Sequence, residues 1–81
     1  DAELWHRPLV GSMVLFVEPD DVWVVHILSG RAMAIDAVNR VDASIGDTLV
    51  LRAGPERARF ALDGGGELLV IRLRRAKRPE M

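Results

Sequence analysis

The chain of 81 residues has no cysteine and no tyrosine, only two tryptophans and two phenylalanines, and histidine only at positions 6 and 26. Without cysteine there is neither a disulfide framework nor a cysteine-rich metal site, and a cytoplasmic location is the expectation. No apolar run approaches the ~18 residues of a membrane span, and no signal-peptide pattern opens the chain. No segment carries a 3.6-residue apolar repeat over three turns, so helices are not expected. The basic run from Arg72 to Arg78 has no interleaved aromatic platform, and the net charge is −1, so nucleic acid is not an expected partner.

What is present is strand sequence. Val22 to Leu28, within Asp-Val-Trp-Val-Val-His-Ile-Leu-Ser-Gly, is β-branched and aromatic, free of Gly, Pro and formal charge. Alternation places Trp23, Val25 and Ile27 on one face and Val22, Val24, His26 and Leu28 on the other. Neither face is polar, so such a strand needs cover on both sides. Charge is uneven: residues 1–50 sum to −5 and residues 51–81 to +4, a layout that could mark an anion-binding face.

Turn chemistry divides the rest. Residues 1–10 read as a lead-in in which Leu9-Val10 pairs as an edge, residues 11–73 as the β domain, and residues 74–81 as a basic, solvated tail. Glu18-Pro19-Asp20-Asp21 is a turn whose acids serve their own backbone. Ser29-Gly30 ends the central strand in a tight hairpin. Asp36 to Ser44 suits either a short helix or, in this company, strand–turn–strand with Asn39-Arg40 turning. Ile45-Gly46-Asp47 launches another strand, Arg52-Ala53-Gly54-Pro55 breaks it, and Asp63-Gly64-Gly65-Gly66 reads as a loop. Short strands at intervals of ~8–12 residues predict an all-β sandwich or barrel of about six to eight strands.

Individual side chains admit a functional and a plain reading. His26 reads as a packed, singly hydrogen-bonded histidine at a layer or subunit contact, since neither an orienting partner nor a nucleophile lies nearby in sequence. His6 reads as a surface or interface residue. Arg57 and Arg59 share a strand face with Ala61; they either grip a carboxylate from within a pocket or belong to a solvated face, with Ala58, Phe60 and Leu62 turned inward.

Three pieces resemble the cupin superfamily: Val-Val-His-Ile-Leu-Ser-Gly-Arg-Ala, Gly46-Asp47-Thr48-Leu49-Val50-Leu51, and Ala53-Gly54-Pro55. More narrowly, Gly11 to Val17, Trp23 to Gly30 and Gly64 to Leu73 are similar to the carboxy-terminal part of HutD/Ves proteins, which are associated with bacterial histidine utilisation. The resemblance implies a small antiparallel jelly-roll barrel or half-barrel. On the cupin motifs, Trp23 stands where a ligand glutamate would, and the first motif's two histidines would fall on Val17 and Pro19 or on Phe16 and Glu18. Arg57 stands where the second motif's histidine would, and Ala61 and Arg52 at its asparagine and proline. The four usual ligands are therefore missing, and neither metal nor cofactor is expected. An inward indole at Trp23 would fill the ion's volume and need one acceptor for its N–H.

These expectations converge on a non-catalytic domain that binds a small carboxylate metabolite linked to histidine utilisation, with Trp23, Arg57 and Arg52 facing it. Two alternatives stand beside it: a structural half of a bicupin with a self-filled pocket, and a metal-independent isomerase-like enzyme. The chain begins at Asp1 without an initiator Met, which suits a processed or excised piece or the ordered half of something longer. Cover for the second apolar face would come from a homodimer or from an amino-terminal cupin domain.

Overall fold

The computed structural model describes residues 2–74, and these form five antiparallel strands and no helix. They are β1 (Ala2–Val17), β2 (Asp21–Ile35), β3 (Arg40–Ser44), β4 (Thr48–Arg52) and β5 (Ala58–Arg74). β5 lies between β1 and β2 and pairs with both along nearly their whole length. The other edge of β2 takes β4 at residues 22–26 and β3 at residues 31–35, so β3 and β4 lie end to end. The sheet is open, with β1 as one edge.

Five strands stand where six to eight were expected, because glycines read as strand ends lie inside strands. Gly64-Gly65-Gly66 is not a loop, and Ser29-Gly30 does not end β2. Gly11 pairs with Gly64 and Gly30 with Gly66, so positive-φ glycines meet across three strands. A backbone free to enter φ > 0 can bend sharply without giving up its ladder. The line they form acts as a crease dividing the sheet into two four-stranded leaves. The Trp leaf holds residues 2–9, 21–28, 67–74 and β4; the hairpin leaf holds residues 12–17, 31–35, 58–63 and β3. The lead-in is thus the first arm of edge strand β1.

The leaves share one core. Leu9, Val25, Ile27, Leu68 and Val70 come from the Trp leaf, and Val17, Ala34 and Leu62 from the hairpin leaf. Face assignment follows parity, with one correction: a bulge between Ile27 and Ser29 shifts β2 by one residue. The shift keeps Ile27 and Ala32 both buried; a regular strand would have turned Ala32 outward. Trp23, Val25 and Ile27 face inward as alternation predicts. The opposite face is not covered by the described residues: Leu4 is 63% exposed, Val50 54% and Leu73 41%.

The turns follow local chemistry. Residues 18–20 close through the Asp21 N–H donating to the Glu18 carbonyl at 3.0 Å. In the 45–47 turn, Asp47 Oδ2 accepts from the Ser44 N–H at 2.9 Å, and the Gly46 N–H donates to the Ile27 carbonyl. Strand–turn–strand holds for residues 36–44, but the turn lies at residues 36–39 rather than at Asn39-Arg40, because Asp36 builds it. Its Oδ1 accepts from the Val38 N–H at 2.9 Å and the Asn39 N–H at 2.6 Å. Those two donors hold the Asp36 carboxyl below its ordinary value of 3.8. A depressed folded-state pKa contributes stability that is complete above the ordinary value and is lost as pH falls through the depressed one. Asp36→Ala should therefore be less stable than the parent near pH 7, with the gap in urea titrations shrinking as pH falls below that ordinary value.

Candidate functional site

On the inner face of the Trp leaf, Trp5 and Val70 are cross-strand partners, as are Trp23 and Arg72. The register therefore brings the indoles of β1 and β2 together over β5. Their centroids lie 5.8 Å apart with the rings 13° from parallel. The Arg72 guanidinium carbon sits 5.8 Å from the Trp23 ring centroid. Both arms of β1 then border a cavity of about 310 Å³. Trp5, Trp23 and Val70 line one side of it and Met13 and Leu15 the other, with Arg7, Ser12 and Val14 completing the lining.

Two features of this cleft bear on chemistry. The Trp23 Nε1 atom is buried and has no acceptor among the described residues. A buried donor left unpaired costs about 1–3 kcal/mol, so the position favours any occupant that supplies an oxygen. Arg7 is exposed and forms no ion pair among the described residues. Among the described residues it is also the only ionisable side chain lining the cavity.

Behind Trp23 lies a charge cluster. Asp21, whose side chain is 2% exposed, accepts from Arg72 Nε at 3.0 Å and from Arg74 Nε at 3.2 Å. Glu3 approaches the other side of Arg72 at 3.4 Å. Asp21 thus does more than shape its turn, and Arg74, the first residue of the expected tail, ends β5 in an ion pair with it; Asp21 and Arg72 fix the wall that carries Trp23. The rest of the expected tail, residues 75–81, lies outside the described residues.

The three residues singled out from sequence are not brought together. Trp23 lines the indole cavity. Arg52 ends β4 on the outer face and borders a separate concavity of about 410 Å³ beside Asp20, Asp21 and Arg74. Arg57 precedes β5, 61% exposed, with its Nε 3.4 Å from Glu18 Oε1 and its guanidinium 5.5 Å from the centre of the Phe16 ring. It borders a third concavity, of about 430 Å³, with Ile35, Asp36 and Ala37. Arg57 occupies an outer surface, as the plain reading of the Arg57/Arg59 face has it.

Both histidines lie on the outer face. His26 Nδ1 shares a hydrogen bond with Thr48 Oγ1 at 2.8 Å, and His6 Nε2 lies 3.0 Å from Glu67 Oε2. Sequence reasoning missed Trp5, Arg7 and Met13. The alternation Glu3, Trp5, Arg7, Leu9 carried the signal, but residues 1–10 read as a lead-in rather than as part of the domain. Searches of family models, curated proteins and solved structures return no match to this chain.

Proposed function

We propose that this protein is a non-catalytic binding domain, built on a cupin-like jelly-roll plan, that holds a small organic acid against Trp5 and Trp23. The observation that carries the reading is the buried, acceptorless N–H of Trp23, a side chain that lines the cavity together with Trp5 and the cationic Arg7. A carboxylate oxygen satisfies that donor, the body of the ligand stacks on the indoles, and Arg7 attracts the negative charge at the rim. A cavity of about 310 Å³ takes roughly ten non-hydrogen atoms at the ~30 Å³ per heavy atom of liquid water. The HutD/Ves resemblance directs the choice within that class toward acids arising from histidine breakdown.

The cupin plan draws support from two four-stranded leaves folded about one crease. Its usual metal does not fit these residues. Trp23, Arg52, Arg57 and Ala61 occupy the motif positions, and among the described residues no three His, Cys, Asp or Glu side chains gather. The cavity lining offers no acid–base pair, which favours binding over turnover.

Fluorescence titration with a panel of small acids and their amides tests the reading. The acids should bind more tightly than their amides. Trp23→Phe keeps a ring but removes the donor, and should weaken binding about tenfold, the worth of one hydrogen bond to a charged group. Arg57→Ala should leave affinity unchanged. Equal affinity in Trp23→Phe, or no binding by any acid at ~10 mM, would sink the proposal.

A further inference from the structure

The two outer faces of the folded sheet differ in kind. On the hairpin leaf, cross-strand rows run Ser12–Asp63–Met33–Asp42 and Val14–Ala61–Ile35–Arg40, so charge is distributed over it. On the Trp leaf the rows run Ala2–Leu73–Val22–Arg52, Leu4–Ile71–Val24–Val50 and His6–Leu69–His26–Thr48. The middle row is wholly apolar across four strands, and the one permanent charge in these three rows is Arg52, at a corner. Its outermost members are well exposed, Leu4 at 63% and Val50 at 54%. A soluble sheet solvated on one side alternates apolar with polar, and this leaf does not.

We infer that the outer face of the Trp leaf is an interface between two copies of this chain, packed about a two-fold axis parallel to the strands. Such an axis sets β1 opposite β4 and β5 opposite β2 of the partner. Leu4 then meets Val50 of the partner subunit, Ile71 meets Val24 of the partner subunit, and Leu73 meets Val22 of the partner subunit. Each long side chain opposes a short one, and the two-fold repeats every pairing, as an isologous contact requires. Arg52 falls opposite Ala2 of the partner subunit, so no like charges meet. Aligned sheets pack in this manner about 10 Å apart.

Self-association is favoured over a lipid surface because the face has neither lysine nor an aromatic rim. At about 4.8 Å per strand and about 3.3 Å per residue, these three rows measure roughly 19 by 17 Å, about 320 Å² per copy. Two such faces come to roughly 640 Å² before side-chain relief is added, below the ~1,000 Å² at which stable specific interfaces begin. The dimer is therefore a weak, reversible one. The inference is independent of the cleft, which lies on the inner face.

Sedimentation equilibrium over about 1–500 μM should show a monomer–dimer exchange. Leu4→Lys and Val50→Glu, both at exposed positions, should each weaken the homodimer about 100-fold, since a charge must be desolvated against valine or leucine. Mixing the two variants should restore association about tenfold, because the register sets Lys against Glu. Val14→Lys on the hairpin leaf should leave the dimer intact, and circular dichroism should show all variants folded. A parent chain that stays monomeric throughout, or associates only with a different protein, would overturn the inference. So would a dimer indifferent to Leu4→Lys, or variants that fail to pair when mixed. Acid binding in Leu4→Lys should match the parent, so loss of the dimer and loss of the ligand are read separately.

Discussion

Gly66→Ala should unfold the protein or come close to it, while Gly65→Ala, one residue away, should be nearly silent. A Cβ built at Gly66 would stand 2.0 Å from the Ser29 carbonyl oxygen and 2.6 Å from its carbon, with φ at +126°. The obstacle is backbone, so no rotamer relieves it; β2 and β5 would have to part at the crease. Gly30 is the reciprocal case, its Cβ 1.9 Å from the Gly65 oxygen at φ +79°. We expect about 4 kcal/mol or more at either position, adding ladder disruption to the ~1–3 kcal/mol of backbone strain. That loss matches the lower end of the stability of a domain this size, roughly 4–12 kcal/mol at 0.05–0.15 kcal/mol per residue. At Gly65 the nearest atom is the Leu9 oxygen at 3.8 Å and φ is not positive, so Ala should fall within about 1 kcal/mol of the parent. Gly46→Ala isolates the conformational component, for its φ is +88° but nothing lies within 4 Å. It should cost about 1 kcal/mol. Urea midpoints at a common m-value separate the four variants. Equal midpoints for Gly66→Ala and Gly65→Ala would mean the crease is not held by these close approaches.

That contrast also explains which parts of the fold were legible in sequence. Face and turn chemistry are local, so Trp23-Val25-Ile27 turning inward and the turns at Pro19-Asp20 and Gly46-Asp47 could be read directly. A glycine that bends a paired strand looks in sequence like one that ends it. Only the pairing of Gly11 with Gly64 and of Gly30 with Gly66 distinguishes them, and pairing is not local. The cleft was lost for the same reason. Trp5 and Trp23 meet because β5 runs between their strands in one register, which neither segment specifies alone. Arg57 was singled out by its place in a resembling motif, whereas its contacts, Glu18 and Phe16, belong to the outside of the molecule.

Asp21→Ala should destabilise the protein by about 3 kcal/mol, more than removal of either arginine it holds. Its side chain is 2% exposed, and it accepts from Arg72, itself 21% exposed, and Arg74, 54% exposed. Breaking a buried pair by deleting one partner costs about 3–5 kcal/mol, because the survivor stays desolvated without compensation. The lower value applies here, since Arg74 reaches solvent and Arg72 keeps Glu3 at 3.4 Å. Arg74→Ala leaves Asp21 still bonded to Arg72 and removes a half-exposed partner, so about 1 kcal/mol or less is expected. Arg72→Ala should fall between, at about 2 kcal/mol, because it also strips a cation from the Trp23 ring. The ranking is the test. Were Asp21→Ala and Arg74→Ala equal in urea midpoint, the carboxylate would be acting as a surface ion and its burial would contribute nothing. Salt makes the same distinction, since ~1 M sodium chloride should erase a surface pair while leaving most of a desolvated one. Because Arg72 links Asp21 to the indole, Asp21→Ala should also shift tryptophan emission and weaken acid binding, an effect Arg74→Ala should not reproduce.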